Sequence, residues 1–266
     1  MEIGLKNVSY NYRLMNVNYV FESGKITCII GKSGSGKSLI GHIIMGLIGV
    51  TSGYITIDGK RDYDLRTLRK DIGYVFQNPS DHIFCDTVYE EVSFGLKQYR
   101  FKLEKMDKQV SDALKMVGLD DSYFALNPRN LSSGEIERVA IASSLVLNPK
   151  VLILDEPTVY LDDNGVSELN KLLKMLRDKY HKTIIVISND MDNVCSIYDN
   201  YVMLDNGKIV STGTNGDILN QTELFMKYGM EVSDIFKFIK LCNDKGVKIK
   251  YTSDIDSLVM DVIDNV

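Results

Sequence analysis

Hydrophobic and polar residues alternate or give way to short apolar runs along the first part of the chain, and both patterns predict β-strands. Residues 25–30 end in a continuous apolar run, which is typical of a strand buried on both faces. A glycine-rich loop follows, and a helix is predicted from residue 37 to about residue 45. Further strands are predicted at residues 2–10, 16–21, 53–57 and 72–76, and an Asp58-Gly59 turn indicates an antiparallel edge.

The middle of the chain, from about residue 88 to about residue 148, has helical periodicity instead. A long helical stretch is predicted at residues 131–147. We therefore predict an α-helical subdomain at about residues 88–148, inserted between strands. The apolar residues that indicate a further helix in it are Met106, Val110, Ala113, Leu114 and Val117.

Strands and helices alternate again after the insertion. Residues 151–154 and 183–188 predict strands, and residues 165–180 predict a helix between them. A hairpin is predicted at Asn206-Gly207. Such alternation favours a parallel sheet with helices on its faces. The expected fold class is α/β, with an antiparallel β edge and the helical subdomain attached to the core.

The end of the chain has a different pattern. Two amphipathic helices are predicted, at residues 232–243 and 255–263, each with an apolar stripe. The stripes fit packing onto the main domain and fit a dimerisation surface equally well. We predict a main domain at residues 1–220 and a small C-terminal helical extension at residues 221–266.

Composition narrows the classes of function. The 266 residues carry a formal net charge of −5, so no overall basic field attracts nucleic acid, and we expect no nucleic-acid partner. No apolar run approaches the length of a membrane-spanning helix, and the first residues lack the pattern of a signal peptide. Any action at a membrane is therefore expected to need a partner protein.

The segment 31–38, G-K-S-G-S-G-K-S, fits the phosphate-binding pattern G-x-x-x-x-G-K-[ST] at every fixed position. It follows a buried strand and opens a helix, where inward-turned backbone N–H groups attract phosphate. An accidental glycine-rich turn is the alternative, but it would not explain this register. We expect Lys37 to contact the β- and γ-phosphates and Ser38 to bind Mg²⁺. The expected nucleotide contacts are Gly31, Lys32, Ser33, Gly34, Ser35, Gly36, Lys37 and Ser38.

Two acids, Asp155 and Glu156, follow the apolar strand at residues 151–154. Ligands of open α/β sheets bind at the carboxyl ends of the strands, which is where these acids lie. Asp155 is suited to bind Mg²⁺, and Glu156 can orient and deprotonate an attacking water. An acid pair alone is more often part of a solvated loop, but together with the phosphate loop it predicts nucleotide hydrolysis.

Residues 131–135, L-S-S-G-E, resemble the LSGGQ signature of ATP-binding cassette (ABC) proteins. Ser132 and Glu135 match the S-x-x-E capping box, and a helix N-terminus so formed can face a phosphate. The resemblance implies an ATPase with the phosphate-loop (RecA-like) fold, in which two subunits sandwich two ATP molecules. It also implies that Ser132, Ser133, Gly134 and Glu135 complete the ATP site of the opposite subunit.

The resemblance extends over residues 1 to about 220, with the motifs in the family's order. It implies that Tyr12 stacks on adenine and that Gln77 contacts Mg²⁺ in the catalytic site. It also implies that Asp162 meets the partner subunit. Leu39 occupies the position of a family threonine that contacts the α-phosphate, so one hydrogen bond to the nucleotide is expected to be lost.

Two segments after Gln77 resemble the corresponding stretch of one group within this family, the ATPases of energy-coupling factor (ECF) and cobalt-type importers. The segments are residues 78–84 (N-P-S-D-H-I-F) and residues 87–95 (T-V-Y-E-E-V-S-F-G). The resemblance implies a peripheral ATPase at the cytoplasmic face of the cell membrane that energises import of a vitamin or a transition-metal ion. The implied partners are a paralogous ATPase subunit, a transmembrane coupling subunit and a substrate-binding membrane protein. The ATPase of another ABC importer class is an alternative.

The sequence departs from the family at the catalytic site and at the signature. Ser133 replaces a glycine and Glu135 a glutamine, and Asn189 stands where the family has a histidine. Asparagine can hydrogen-bond the γ-phosphate but carries no titratable proton. We therefore count Asn189 among the catalytic residues and expect a heterodimer with a paralogue that has the histidine. A largely regulatory ATP-binding subunit with a degenerate site is the second alternative.

Overall fold

The computed structural model describes residues 1–190, 197–215, 217, 221–230, 232, 234–249 and 255–265, with the backbone alone for residues 103 and 255–257. The strands are β1 (Ile3–Tyr10), β2 (Leu14–Phe21), β3 (Ile26–Ile30), β4 (Ser52–Ile57), β5 (Ile72–Val75), β6 (Val151–Asp155), β7 (Thr183–Ser188), β8 (Asn200–Asp205) and β9 (Lys208–Thr214). The α-helices are α1 (Lys37–Ile44), α2 (Leu65–Asp71), α3 (Val88–Gln98), α4 (Leu103–Met116), α5 (Ser133–Leu145), α6 (Asp163–Asp178), α7 (Thr222–Lys227), α8 (Asp234–Asp244) and α9 (Ile255–Asn265).

The main sheet of the described chain has the strand order β5-β6-β7-β3-β8-β9. Strands β5 to β8 of this order pair in parallel, and β9 pairs with β8 in antiparallel orientation through the predicted hairpin. Every residue of β3, β5, β6 and β7 is buried, as continuous apolar runs predict for strands covered on both faces. The carboxyl ends of these parallel strands therefore meet at one edge of the sheet.

The residues of each central strand alternate between two hydrophobic cores. In β7, Ile184 and Val186 face the core that includes α6 and the helices between β5 and β6, whereas Ile185 and Ile187 face the opposite core. The opposite core is closed by α1 and by a separate antiparallel sheet with the order β2-β1-β4. The antiparallel edge expected from the sequence is thus present.

The region between β5 and β6 is helical, as its periodicity predicts. The apolar stripe of α4 is buried, including Met106, Val110 and Leu114, and it packs into the same core as α3 and α5. Helix α5 is shorter than the predicted stretch: it begins at Ser133 and ends at Leu145. Two of the described helices lie where we predicted none: α2, whose single buried residue is Leu68, and α7 in the C-terminal extension.

Some apolar residues of the C-terminal helices are buried, and others are exposed. Phe225 of α7 is buried against Tyr201 of β8, with ring centroids 5.6 Å apart, and Phe236 of α8 joins the main core. Ile239, Ile249 and Leu258 form a small separate cluster. Packing onto the main domain is therefore observed, while other apolar residues remain exposed, namely Phe238, Leu241, Val259, Met260 and Ile263. Within the described residues, no helix is both long enough and apolar enough to cross a membrane.

Candidate active site

The loop between β3 and α1 has the backbone of an anion-binding site. Gly31, Gly34 and Gly36 have positive φ angles of 148°, 80° and 105°, which non-glycine residues rarely adopt. A Cβ atom at Gly31 would also collide with the backbone oxygen of Leu204. Gly36 precedes α1 and provides no side-chain cap, so the first N–H groups of this helix remain directed at the loop. These donors and the helix dipole favour a phosphate there.

Lys37 lies at the centre of the loop with its side chain buried. Its Nζ donates hydrogen bonds to the backbone oxygens of Gly31 at 2.6 Å and Lys32 at 3.1 Å, and lies 3.9 Å from Oε1 of Glu156. Burial lowers the pKa of Lys37, while the charges of Glu156 and Asp155 raise it. The ammonium group is thus held by the loop and directed towards the two acids at the end of β6, where a phosphate would contact it.

Asp155 ends β6 and is 3 % exposed. Its Oδ2 accepts a hydrogen bond from the Tyr74 hydroxyl at 3.0 Å, whereas its Oδ1 is buried and has no hydrogen-bond partner among the described residues. Burial, followed by the charge of Asp155, raises the pKa of Tyr74, so the phenol keeps its proton and donates. One oxygen is thus fixed and the other unused, an arrangement that fits a carboxylate ligand of Mg²⁺.

Glu156 has an unusual backbone conformation beside Asp155. Its φ angle is +51°, and its N–H donates to the backbone oxygen of Ile187 at 2.8 Å. Its Oε2 accepts a hydrogen bond from the backbone N–H of Asn189 at 3.2 Å. Burial raises the pKa of Glu156, opposed by the Asn189 N–H group and by Lys37. A left-handed residue held by the adjacent strand is typical of functional sites, and a raised pKa suits a general base.

The remaining residues predicted for this site lie at the same edge of the sheet. Asn189 is the first residue after β7 and is exposed, and its observed contact with Glu156 is made by its backbone. Gln77 is exposed two residues after β5, and Ser38 is half-buried in the first turn of α1. The structure therefore brings Lys37 and Asn189 into direct contact with Glu156, and Gln77 and Ser38 lie at the same edge of the sheet.

Leu39 and Tyr12 differ sharply in exposure. The Leu39 side chain is buried in the core beneath the antiparallel sheet, so only its backbone faces the loop. Tyr12 is 95 % exposed in the turn between β1 and β2, with φ +60°. The same turn approaches the loop closely, because a Cβ atom at Gly36 would lie 3.2 Å from the oxygen of Arg13. An aromatic ring beside the phosphate loop is in a suitable place to stack on a base.

The predicted capping box is present at the start of α5. The backbone N–H of Ser132 donates to Oε2 of Glu135 at 2.8 Å, and the N–H of Glu135 donates to Oγ of Ser132 at 3.4 Å. Oε1 of Glu135 accepts a hydrogen bond from the Tyr123 hydroxyl at 2.6 Å. These bonds lower the pKa of Glu135 to about 2, with the Tyr123 contribution largest. Both oxygens of Glu135 are engaged within the chain, so its side chain shapes the loop.

The rest of the signature and Asp162 occupy helix N-termini. Ser132 and Ser133 are exposed, and Gly134 is half-buried in the first turn of α5. Asp162 caps α6 by accepting a hydrogen bond from the Gly165 N–H at 2.8 Å. A Cβ atom at Gly134 would lie 3.6 Å from the Leu161 side chain, so the signature and the segment before α6 are neighbours. They form one surface whose role towards a partner remains a prediction.

Sequence reasoning missed two tyrosines that donate hydrogen bonds to acidic residues of the site: Tyr74 donates to Asp155, and Tyr123 donates to Glu135. Tyr74 lies in a buried apolar strand, and a hydroxyl in such a strand needs a hydrogen-bond partner, which is the available signal. Tyr123 lies in an irregular segment, where no pattern indicates its contact with Glu135.

A nest of backbone donors, a buried lysine and two acids at the carboxyl edge of a parallel sheet define a phosphate-loop nucleotide hydrolase. The profile of the ABC transporter family matches residues 14–159 of the chain. Energy-coupling factor transporter ATP-binding protein EcfA2 of Streptococcus pyogenes serotype M3 is 35% identical over an alignment 264 residues long, which covers 94% of this chain and 94% of that protein. The chain therefore belongs to the ABC transporter family and is an ABC ATPase.

Solved structures show the same likeness. The structure of cbiO1 from Clostridium perfringens, part of the ABC transporter complex cbiONQ, is 34% identical, with a TM-score of 0.76 over 90% of this chain and 98% of that chain. The dimeric post-hydrolysis structure of the ATP-binding cassette MJ0796, bound to ADP and Pi, is 32% identical, with a TM-score of 0.74 over 80% of this chain and 98% of that chain. The phosphate-loop fold and its helical insertion are thus those of ABC ATPases.

Proposed function

We propose that this chain hydrolyses ATP to ADP and phosphate and so energises the import of a small nutrient, a vitamin or a transition-metal ion, through an ECF-type transporter. The observation that carries the enzymatic part is the convergence of Lys37 and Glu156, 3.9 Å apart, beside the buried carboxylate of Asp155. This arrangement brings a cation that can bind phosphate (Lys37), a candidate metal ligand (Asp155) and a candidate general base (Glu156) together at one edge of the sheet.

Each predicted site residue has a proposed role in ATP binding or hydrolysis. The loop amides of residues 31–38 and Lys37 bind the β- and γ-phosphates, and Tyr12 stacks on adenine. Glu156 accepts a proton from the attacking water, and Asn189 at the end of β7 contacts the γ-phosphate. Ser38, Gln77 and Asp155 would hold Mg²⁺, which when bound neutralises charge on the phosphate oxygens. The unused Oδ1 of Asp155 supports this ligand set.

A second subunit is part of the proposal. Ser132, Ser133 and Gly134 lie at the N-terminus of α5, and Asp162 lies beside them at the N-terminus of α6. These N-termini can face the phosphates of an ATP molecule held by a partner. The dimer of the cassette MJ0796 supports such an arrangement. Because Asn189 replaces the family's histidine, we propose a paralogous partner and hence a heterodimer.

The transport part rests on the relatives. EcfA2 is named as a subunit of an energy-coupling factor transporter, and cbiO1 as part of the complex cbiONQ. We propose corresponding membrane partners for this chain, a transmembrane coupling subunit and a substrate-binding membrane protein, and hence a peripheral position at the cytoplasmic face of the membrane. We also propose residues 1–220 as the ATPase domain and residues 221–266 as an extension that contributes to dimerisation.

A regulatory ATP-binding subunit with little turnover is the second candidate. It is favoured by Asn189, because this residue contacts Glu156 through its backbone N–H group, which any residue except proline could supply. The two candidates are separated by measuring ATP hydrolysis by the assembled complex after the partner's own catalytic base has been disabled. Continued hydrolysis favours the active ATPase, and little hydrolysis favours the regulatory subunit.

The transport proposal is tested by affinity purification of this chain from its source cells, followed by reconstitution of the captured complex in proteoliposomes. We expect a second ATPase and membrane subunits to co-purify, and vitamin or metal-ion uptake to require ATP. Glu156→Gln should abolish most of the uptake and trap an ATP-bound dimer, which light scattering detects. The control Glu104→Gln, which changes an exposed residue of α4, should do neither. A chain that captures no membrane subunit would overturn the transport proposal.

A further inference from the structure

A cavity of about 360 Å³ lies between the end of α4, the middle of α5 and the exposed side of α6. Its walls are mainly apolar and include Met116, Ile141, Leu169 and Met175. A cavity of this size accommodates a small organic molecule. It is separate from the phosphate loop and from the acids of β6, none of which line it.

Glu137 of α5 lines this cavity and is only 2 % exposed. Its Oε1 is buried and has no hydrogen-bond partner among the described residues. Burial raises the pKa of Glu137 to about 8, so the carboxyl group is mostly uncharged at neutral pH. A buried polar atom without a protein partner is costly, and water, an ion or a ligand normally satisfies it.

The adjacent Arg138 supplies the complementary group in the same cavity wall. Its Nη1 forms an ion pair with Oε2 of Glu168 on α6 at 3.5 Å, and both side chains are partly exposed. Its Nε is buried and has no acceptor within the described part of the chain. Two residues that line the cavity thus each retain an unused polar atom, Oε1 of Glu137 and Nε of Arg138.

We propose that this cavity is a binding site for a small uncharged molecule with an apolar body and an amide or lactam group. The amide N–H would donate to Oε1 of Glu137, and the amide carbonyl would accept from Nε of Arg138. A neutral ligand is favoured because one polar residue is uncharged and the other is already paired with Glu168.

Occupation of the cavity has a structural consequence. Helix α5 begins at the signature and α6 begins after Asp162, and both helices line the cavity. A ligand that contacts both would fix their separation and so couple the site to the surface proposed to meet the partner's ATP. The binding itself does not depend on ATP hydrolysis, so its test is independent of the proposed function.

Methyl NMR of the full-length chain labelled at the methionine methyl groups tests the proposal. The probe is acetanilide, a neutral aryl amide, and the matched probe is N-methylacetanilide, which lacks the N–H donor. Of this cavity and its described neighbour, Met175 lines only this one, whereas Met116 lines both. We expect acetanilide to shift Met175 saturably, N-methylacetanilide to bind about tenfold more weakly, and the methyl groups of Met45 and Met226 to stay unchanged.

Two variants separate specific binding from nonspecific contact. Glu137→Leu removes the acceptor without adding a polar group and should weaken acetanilide binding about tenfold. Gln109→Leu changes a residue of the neighbouring cavity and should leave the affinity unaltered. Unchanged Met45 and Met226 signals establish that each variant is folded. Absence of a saturable Met175 shift, a shift of Met116 alone, or equal affinity in Glu137→Leu would overturn the proposal.

Discussion

The hydroxyl of Tyr74 on β5 donates a 3.0 Å hydrogen bond to Oδ2 of Asp155 on β6, and both residues are buried. Gly41 of α1 makes room for the ring, because a Cβ atom there would lie 2.9 Å from the Tyr74 hydroxyl oxygen. The tyrosine therefore positions the carboxylate so that Oδ1 points away from it, which is the orientation that a metal ligand needs.

Tyr74→Phe should therefore weaken divalent-cation binding while the fold persists. Oδ2 of Asp155 would lose its donor, and the carboxylate would lose its fixed orientation. We expect the Mg²⁺ concentration for half-maximal ATPase activity to rise about tenfold, as is typical when a residue that holds a metal ligand in place is changed. Binding of Mn²⁺ with ATP, followed by electron paramagnetic resonance, should weaken in parallel. Tyr99→Phe, which removes a hydroxyl bonded to the Arg66 backbone, is the control; equal cation affinities in the two variants would contradict this role.

Glu135→Ala should destabilise the start of α5. Loss of the capping box and of the Tyr123 hydrogen bond is expected to cost about 1 kcal/mol at pH 7. The pKa of Glu135 is lowered from 4.5 to about 2, so its contribution is present above pH 4.5 and is lost as pH falls towards 2. The difference between the urea midpoints of wild type and variant should therefore become smaller as the pH falls from 5 to 3. A constant difference over that range would speak against the ionised cap.

Glu137, two residues further along α5, should have the opposite pH dependence. Its pKa is raised from 4.5 to about 8, so the folded chain keeps a proton that the unfolded chain releases. The favourable contribution is present below pH 4.5 and is lost as pH rises through 8, and the loss by pH 7 is about 3 kcal/mol. Glu137→Gln should remove this decline, and thermal unfolding between pH 5 and pH 8 measures it. Glu104→Gln should retain the wild-type slope; the same slope in Glu137→Gln would show that Glu137 does not titrate this way.

Asn189→His should restore activity if the asparagine limits catalysis at this chain's own phosphate loop. Loss of a positioned transition-state contact commonly costs about two to three orders of magnitude in rate. With the partner's catalytic base disabled, we expect the substitution to raise steady-state turnover at least about tenfold. The comparison is the same complex with Asn189 unchanged. Identical turnover would mean that the backbone N–H of residue 189, which reaches Glu156, is all that this position contributes.

The phosphate loop, the central strands and the capping box were predictable because each is encoded by consecutive residues. Apolar runs specify buried strands, and the spacing of Ser132 and Glu135 specifies the cap. Helix α2 was missed because its seven residues bury only Leu68 and therefore show no periodic face. A helix this short owes its position to tertiary packing and to its Asp64 cap, not to its own pattern.

Contacts between distant residues were not predictable in the same way. The Tyr74–Asp155 hydrogen bond joins residues 81 positions apart, and it depends on β5 and β6 being neighbours in the sheet. The order of parallel strands is set by the packing of the whole domain, which hydrophobic periodicity does not reveal. The burial of Glu137 was missed for a related reason: a glutamate beside Arg138 resembles an exposed ion-pairing position.

The central claim is that Lys37 binds the phosphates of ATP whereas Glu156 acts on water after ATP is bound. Isothermal titration of Mg·ATP into Lys37→Ala and Glu156→Gln, with Lys60→Ala as an exposed control, tests it most directly. We predict wild-type affinity or tighter for Glu156→Gln and for the control, and affinity at least about tenfold weaker for Lys37→Ala, because a charge-assisted contact is lost. Near wild-type affinity in Lys37→Ala, or loss of binding in Glu156→Gln, would contradict the account.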